Sequence, residues 1–208
     1  MWDLDATFGH YVNYTGVPDD SPYADPCDPE SFDSWSDPEG HTDLLNAMMD
    51  SEEFLALYVQ RWADLNNTIF ECDYMLGMLD SLIDRIEPEM QSQINRWGGS
   101  YAGWQNEVTE LRDFIITRCA VIDTGLIDCY QVTGPYEVTV IVDPPTSPNK
   151  VKVNNITPGT YPYTGDYFGD INMYLEARPD SGWNFQSWEL VNNTCLLYTS
   201  PSPRDETK

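Results

Sequence analysis

The amino-acid sequence predicts an α+β protein, in which a helical segment is followed by a small all-β segment. Apolar residues recur every three or four positions between residues 42 and 128, which is the periodicity of amphipathic helices. From about residue 130 the period changes to two, because Val138, Val140 and Val142 alternate with other side chains as in a strand. With 7 Trp, 13 Tyr and 7 Phe, the chain can bury a core in one or two domains.

Residues 1–41 form the first predicted unit, and from residue 10 onwards they are expected to be irregular. Five prolines interrupt regular structure there, at positions 18, 22, 26, 29 and 38. Eight acidic side chains accompany them: Asp19, Asp20, Asp25, Asp28, Glu30, Asp33, Asp37 and Glu39. Such carboxylates could hold Ca²⁺, but the spacing of an EF-hand is absent, so a solvated loop is the favoured interpretation.

Residues 42–129 form the second predicted unit, and they are expected to be helical. Thr42 can cap a short helix through Met49, and residues 51–53 (Ser-Glu-Glu) are a good start for the next. Pro88 is expected to break or restart a third helix, which residues 98–99 (Gly-Gly) end. The last helix carries an apolar stripe: Trp104, Val108, Leu111, Ile115 and Ile122.

Residues 130–194 form the third predicted unit, a β segment whose C-terminus is expected to be cut short. Beyond the first strand we predict strands around Val151 and Val153, at 170–177 and at 183–190. Its aromatic residues could make a binding face, but filling the core is the favoured interpretation. These residues are Tyr161, Tyr163, Tyr167, Phe168 and Trp183.

The last fourteen residues are set aside from fold reasoning. Residues 195–205 (Cys-Leu-Leu-Tyr-Thr-Ser-Pro-Ser-Pro-Arg-Asp) resemble the translation of a sequencing-library adapter. The alternative is a Ser/Pro-rich tail. Residues 195–208 are therefore expected to be an artefact, and the natural polypeptide is expected to continue beyond Thr194.

The net charge of the chain limits the classes of molecule that it is expected to bind. The formal charge is -25, from 35 acidic and 10 basic residues. Nucleic acids and anionic membranes require positive charge on the protein, so neither is an expected partner. No stretch reaches the roughly 20 apolar residues that a membrane helix needs, so no membrane insertion is expected.

Four cysteines remain when Cys195 is set aside: Cys27, Cys72, Cys119 and Cys129. No pair has CxxC spacing, which argues against a zinc site. Two disulfides in an exported protein are expected, and buried free thiols are the alternative. Of the three possible connectivities, the favoured one pairs residue 119 with 129 and residue 27 with 72.

A block of residues at the N-terminus has the composition of a metal-binding loop. Residues 2–9 read Trp-Asp-Leu-Asp-Ala-Thr-Phe-Gly, and the carboxylates of Asp3 and Asp5 could flank a Mg²⁺ ion that bridges the phosphates of a nucleotide. Gly9 would let the backbone turn away from the ion. In so acidic a chain an Asp-x-Asp pair alone carries little weight, so the surrounding block matters more.

This block resembles the Asp-containing motif of the CotH kinase family, the spore-coat-protein-H-like atypical kinases. Segments further along resemble the helical C-terminal part of such domains, up to about residue 129. They are 45–48 (Leu-Asn-Ala-Met), 61–68 (Arg-Trp-Ala-Asp-Leu-Asn-Asn-Thr), 86–90 (Ile-Glu-Pro-Glu-Met), 94–99 (Ile-Asn-Arg-Trp-Gly-Gly), and Trp104 followed by 111–115 (Leu-Arg-Asp-Phe-Ile) and 118–119 (Arg-Cys). The β segment is similar to a module that follows the domain in some secreted or surface proteins.

The resemblance implies transfer of phosphate from ATP to protein serine, with Mg²⁺ or Mn²⁺ as the metal. Asp3 would be the principal metal ligand and Asp5 its helper, while Phe8 and Gly9 would shape the turn. The nucleotide-contacting lysine and the catalytic aspartate are expected upstream of Met1, so the chain is expected to be an inactive fragment. The parent would be a bacterial protein, extracellular or at the cell surface, with a protein substrate.

Two other functions stay open. The first is a non-catalytic adhesion or binding protein of the cell surface that keeps the fold. In the second, the β segment is an accessory that binds carbohydrate or protein. His10 and His41 have no paired nucleophile, which argues against a hydrolase triad. Four arginines could contact phosphate, but ion pairing or packing at the core edge is the favoured interpretation: Arg61, Arg96, Arg112 and Arg118.

Overall fold

The computed structural model describes residue 8 and residues 21–28, 41–145, 148 and 150–191. Its helices are α1 (His41–Met49), α2 (Glu52–Asn66), α3 (Cys72–Trp97) and α4 (Tyr101–Tyr130). The strands are β1 (Thr133–Val140), β2 (Lys150–Val153), β3 (Tyr163–Gly169) and β4 (Leu175–Arg178). Helices thus precede strands along the chain, which confirms the predicted α+β class.

Local capping explains where the helices begin and end. The Ser51 side chain accepts a hydrogen bond from the Phe54 N–H at 3.4 Å and caps α2, as the sequence predicts. Ser100 caps α4 in the same way through the Gly103 N–H at 3.0 Å. The predicted end of α3 is also confirmed, since Gly98 follows its last residue with φ 88°, a backbone conformation that suits glycine.

The prediction that Pro88 breaks the third helix is wrong, because Pro88 lies inside α3. A proline in a helix interior removes one backbone hydrogen bond and costs about 3 kcal/mol. Here the helix is supported by α4 near the proline, since the Tyr101 hydroxyl donates to Glu87 and the Arg112 guanidinium pairs with Asp80. With these contacts the helix continues through Pro88 as far as Trp97, despite the local defect.

The strands form two antiparallel pairs. β1 pairs with β3, with Val138 opposite Gly165, and β2 pairs with β4, with Val153 opposite Leu175. Strand β3 was not predicted from the sequence, because it contains two glycines and lacks a regular alternation of apolar side chains. Its pairing with β1 stabilises it as a strand. The prediction of a strand at 183–190 is wrong, since these residues are exposed and adopt no regular structure.

The helices and the strands share one hydrophobic core. Val59 of α2, Leu126 of α4 and Val153 of β2 are each fully buried and belong to the same cluster. Tyr167 and Phe168 of β3 are also buried there, which agrees with the core interpretation of these aromatic residues. The division of the chain into two units at residue 130 stays a prediction. Within the described residues, the helices and the strands do not have separate hydrophobic cores.

Helices α3 and α4 form a long antiparallel hairpin. The Cys72–Cys119 disulfide joins them. The buried apolar residue of α3 is Leu79, and those of α4 are Ile115, Ile122, Leu126 and Tyr130. Trp97, at the end of α3, is 70% exposed. Neither these helices nor any other in the described part is long and apolar enough to cross a membrane.

A candidate metal loop and the helix that carries it

The predicted metal ligands Asp3 and Asp5 lie outside the described residues, as does Gly9. Phe8 is described, and it lies in a turn with φ 59°, a left-handed conformation that residues other than glycine adopt rarely. The chain therefore changes direction just after the Asp-x-Asp block. The roles of Asp3, Asp5, Phe8 and Gly9 as a metal site stay predictions.

Phe8 packs against α4. Its ring meets the ring of Phe114 edge to face, with centroids 5.8 Å apart and planes at 80°. Such a pair contributes about 0.5–1.5 kcal/mol beyond the area that it buries. Because Phe8 follows Asp5 by three residues, Phe114 is the described side chain that fixes the end of the candidate loop.

Arg118 lies one turn further along α4. Its side chain binds backbone carbonyl groups of residues 21–28, which we call the acidic segment. The guanidinium donates to the carbonyl oxygen of Pro22 at 3.3 Å and to that of Ala24. These partners are neutral carbonyls, so the interaction fixes the path of residues 21–28 without using their carboxylates. Of the candidate arginines, Arg112 pairs with Asp80, which agrees with the ion-pair interpretation.

Two further positions of α4 complete the contact with this segment. A Cβ atom on Gly125 would lie 2.7 Å from Cδ of Pro26, so the absence of a side chain lets the proline ring approach the helix. Cys129 forms a disulfide with Cys27, with Cα atoms 5.8 Å apart. We call α4 residues 114, 118, 125 and 129 the platform, since their spacing of four and seven places them on one face.

The predicted disulfide pairing is wrong, although the number of disulfides agrees with the prediction. The structure joins Cys27 to Cys129 and Cys72 to Cys119. Residues 119 and 129 lie on the same helix, α4, where ten residues rise about 15 Å. A disulfide requires Cα atoms about 4.4–6.8 Å apart, so this pair cannot bond.

The described residues contain no group of three or more His, Cys, Asp or Glu side chains that could hold a metal ion. Of the acidic loop they include Asp25 and Asp28, and the other carboxylates offered for Ca²⁺ lie outside them. The fit of a divalent metal therefore depends on the donor chemistry of Asp3 and Asp5, whose carboxylate oxygens suit a hard cation.

A buried carboxylate that sequence reasoning missed joins the helices to the β segment. Asp64 of α2 is fully buried and accepts hydrogen bonds from the Asn155 N–H at 3.0 Å and from the Asn154 amide at 3.5 Å. Burial raises the pKa of the Asp64 carboxyl, against the lowering effect of these bonds and of Arg61. An aspartate at a core-facing position of an amphipathic helix is the signal that could have revealed it.

Asn67 makes the neighbouring connection between α2 and β3. Its amide nitrogen donates to the Asp166 carbonyl at 2.6 Å, and its amide oxygen accepts from the Asp166 N–H at 2.8 Å. Asp123 of α4 accepts from Asn66 at 3.2 Å, and burial raises its pKa as well, with a further increase from the charge of Asp166. These polar contacts orient the strands on the helices.

Aromatic side chains of the C-terminal described segment lie at the surface. Phe185 and Trp188 are 47% and 42% exposed, with ring centroids 5.0 Å apart. Trp183 is also exposed, in contrast to Tyr167 and Phe168, which fill the core. Of these three exposed rings, Trp183 alone belongs to the binding face that the sequence predicts.

A family model described as CotH kinase protein matches residues 1–122, which include the Asp-x-Asp block and most of α4. No curated protein and no solved structure matches the chain.

Proposed function

Because this chain belongs to the CotH kinase family, we propose that it is the metal-loop and helical part of a protein kinase. The complete enzyme would transfer the γ-phosphate of ATP to a serine of another protein. The observation that carries the proposal is the family match, which runs from the Asp-x-Asp block into α4, the helix that holds Phe8. The nucleotide-contacting lysine and the catalytic aspartate would come from a preceding part of a longer polypeptide.

In this proposal Asp3 and Asp5 hold the metal, with Asp3 as the principal ligand. A bound Mg²⁺ or Mn²⁺ ion would neutralise charge on the phosphates of ATP. The described residues would support the loop from behind: Phe114 contacts Phe8, and Arg118 and Cys129 hold the acidic segment that follows. Substitutions on the platform would therefore change metal-dependent activity without touching the metal.

We place the enzyme outside the cell or at the bacterial cell surface. Its two disulfides join residues 102 and 47 positions apart, and such bonds persist in oxidising surroundings. The strong negative charge suits a soluble exported protein.

The test replaces Asp3 with asparagine in the longer protein and measures phosphate transfer from radiolabelled ATP to a protein substrate. We expect transfer to fall to background in Asp3→Asn and to fall less in Asp5→Asn. Asp50→Asn, at an exposed position between α1 and α2, is the matched control and should leave transfer unchanged. Unchanged transfer in Asp3→Asn would reject the metal assignment, and no transfer by the unmodified protein with either metal would reject the kinase proposal.

The exposed aromatic residues favour a second candidate function, in which the β segment binds carbohydrate or protein at the cell surface. Phe185 and Trp188 present two adjacent rings to solvent, and aromatic faces are a common contact for such ligands. Retention of the chain on a polysaccharide column would support this role if Trp188→Ala abolished it. Equal retention of both proteins would reject it.

A further inference from the structure

The two disulfides join parts of the structure that differ in their other contacts. Cys72–Cys119 links α3 to α4, and these two helices are also held together by the ion pair of Arg112 with Asp80 and by the burial of Leu79. Each partner is a regular helix, whose backbone hydrogen bonds do not depend on the other helix. Opening this bond would therefore leave the hairpin with its remaining contacts.

The acidic segment, which the other disulfide ties to α4, contains turns but no strand or α-helix. Its backbone hydrogen bonds span three residues: the Ala24 N–H donates to the Ser21 carbonyl at 3.2 Å, and the Asp28 N–H donates to the Asp25 carbonyl at 3.0 Å. Segments with so little regular backbone bonding open locally at low free energy. Contacts with α4 must therefore hold this segment in place.

The non-covalent contacts of the acidic segment with the platform are local. They include the hydrogen bonds from Arg118 to the carbonyl oxygens of Pro22 and Ala24, and the packing of Pro26 on Gly125. The segment is acidic and the chain has a net charge of -25, so electrostatic self-repulsion favours separation of the segment from the rest of the molecule. The disulfide is thus the contact on which the position of the segment depends most.

This disulfide is accessible from solvent at Cys129. Cys27 and Cys129 are both half-buried, and Cys129 borders an open cleft of about 360 Å³ together with Met49, Leu55 and Tyr130. The Cys27 N–H donates to Cys129 Sγ at 3.2 Å, which fixes the position of this sulfur atom. A cleft of this size is within the range of small-molecule sites, so a small thiol can approach Cys129 there.

We propose that Cys27–Cys129 is a redox lock, whereas Cys72–Cys119 is a structural bond. When the lock is oxidised, it holds the acidic segment on the same helix that contacts Phe8, at the end of the candidate metal loop. When it is reduced, the segment is released. A chain made in a reducing compartment would thus complete its platform on export to oxidising surroundings. The consequence for the metal loop rests on the proposed kinase function, but the lock itself does not.

The lock opens and closes by thiol–disulfide exchange. To open it, a thiolate of a dithiol reductant attacks Cys129 Sγ, the bond between the two cysteines breaks, and the Cys27 thiolate leaves and takes up a proton from water. The second thiol of the reductant then attacks the reductant's own sulfur in the mixed disulfide and releases Cys129 as a thiolate. Two electrons pass from the reductant, which becomes a disulfide. Closing is the reverse, with the disulfide of an oxidised oxidoreductase as the electron acceptor.

The first test opens the lock in the full, unmodified chain, well below its melting temperature. The chain is incubated with reduced glutathione, whose single thiol lets the mixed disulfide accumulate, and free thiols are then alkylated. Sequencing of unreduced peptides by mass spectrometry should find glutathione on Cys129 and the alkyl group on Cys27. The Cys72–Cys119 bond should stay intact, and the far-ultraviolet circular dichroism should not change.

The second test measures release of the acidic segment by hydrogen exchange. Cys27→Ser combined with Cys129→Ser should accelerate exchange of residues 21–28 at least about tenfold, because local opening is no longer opposed by the bond. Cys72→Ser combined with Cys119→Ser also removes one disulfide and is the matched control. It should leave the exchange of residues 21–28 unchanged.

Three results would overturn the proposal. The two disulfides could open together or both stay closed in glutathione, which would make both of them structural. Glutathione could be found on Cys27, which would place the attack away from the cleft. Exchange of residues 21–28 could be equal in the two serine variants, in which case the bond does not hold the segment. The glutathione test needs no substitution, so it decides the matter if a variant fails to fold. Neither test measures phosphate transfer, so failure of the kinase proposal would be seen separately.

Discussion

Two glycines inside helices have opposite surroundings, and they show how a residue's effect depends on its neighbours. Gly77 in α3 faces open space, whereas Gly125 in α4 lies under the ring of Pro26. Both weaken the helix in the same way, because glycine loses more backbone freedom on folding than alanine does. At Gly125 the loss is compensated, because the missing side chain allows residues 21–28 to pack closely against the platform. At Gly77 no such contact is present.

We predict that Gly77→Ala and Gly125→Ala change stability in opposite directions. Gly77→Ala should raise the free energy of unfolding by about 1 kcal/mol through helix propensity alone. Gly125→Ala should lower it, because the new Cβ would lie 2.7 Å from Cδ of Pro26 and the Cys27–Cys129 disulfide limits retreat of the segment. Urea unfolding of the two variants measures both changes, and equal stabilisation would contradict the close approach.

Asp64 is the residue for which burial dominates the chemistry. Burial raises the pKa of its carboxyl above the ordinary value of 3.8, so the folded chain holds this proton more tightly than the unfolded chain. Its contribution to stability is fully present below pH 3.8 and is lost as the pH rises through the raised pKa. Asp123, whose pKa burial also raises, contributes with the same sign.

We predict that Asp64→Asn removes part of this pH dependence. The free energy of unfolding of the unmodified chain, relative to that of the variant, should fall as the pH rises from below 3.8 towards neutrality. Comparing the two proteins cancels the groups that they share. Urea unfolding at a series of pH values checks this, with Asp50→Asn as a control for removing one exposed negative charge. A constant difference would show that Asp64 titrates alike in both states.

At the scale of elements, the disulfides determine which segments stay together. Cys72–Cys119 closes the α3–α4 hairpin, and Cys27–Cys129 ties the acidic segment to the end of α4. The sequence separations are 47 and 102 residues. Loop-closure entropy assigns about 4–5 kcal/mol to each bond, from restriction of the unfolded chain.

We predict that peptide mapping without reduction gives this connectivity. Trypsin should leave the peptide that begins at Cys119 joined to two others, one with Cys27 and one with Cys72, because residues 119–150 contain no arginine or lysine before Lys150. A second cleavage at Asp123 should separate the two bonds. An internal Cys119–Cys129 bond would contradict the structure.

At the scale of the whole molecule, one core joins the helices to the strands. The cluster contains Val59 and Ala63 of α2, Leu126 of α4, and residues of β1, β2 and β3. Removing the strands would therefore expose the inner faces of α2 and α4. Truncating a large buried side chain of this kind to alanine lowers the free energy of unfolding by about 2–5 kcal/mol. The combined loss from removing several of them exceeds the stability of a typical domain.

We predict that a chain ending at Tyr130 does not fold. Its far-ultraviolet circular dichroism should lack a cooperative thermal transition, because α2 and α4 would lose Val140, Val151, Val153 and Phe168 as partners. A chain ending at Val191 keeps these contacts and is the matched control, with an unchanged transition expected. A cooperative transition in the shorter chain would show that the helices have sufficient packing of their own.

Sequence periodicity predicted most of the helices, because each helix depends on neighbours three and four positions away. The start of α2 at Ser51 and the end of α3 at Gly98 follow from capping residues that are next to the helix ends in the sequence. The Asp-x-Asp block and the helical motifs likewise gave the family from residues close together in the chain. The predictions of local structure were wrong where contacts with distant segments decide the outcome. Helix α4 contacts α3 near Pro88, and β1 is the pairing partner of β3.

The sequence by itself determined the α+β class, the acidic surface and the family resemblance, since these are properties of composition and of short-range pattern. Only the tertiary structure decided which cysteines pair, that Asp64 is buried and that α4 carries both Phe8 and the acidic segment. The physical reason is distance along the chain. Cys27 and Cys129 are 102 residues apart, and which faces meet over that separation is set by packing of the whole core.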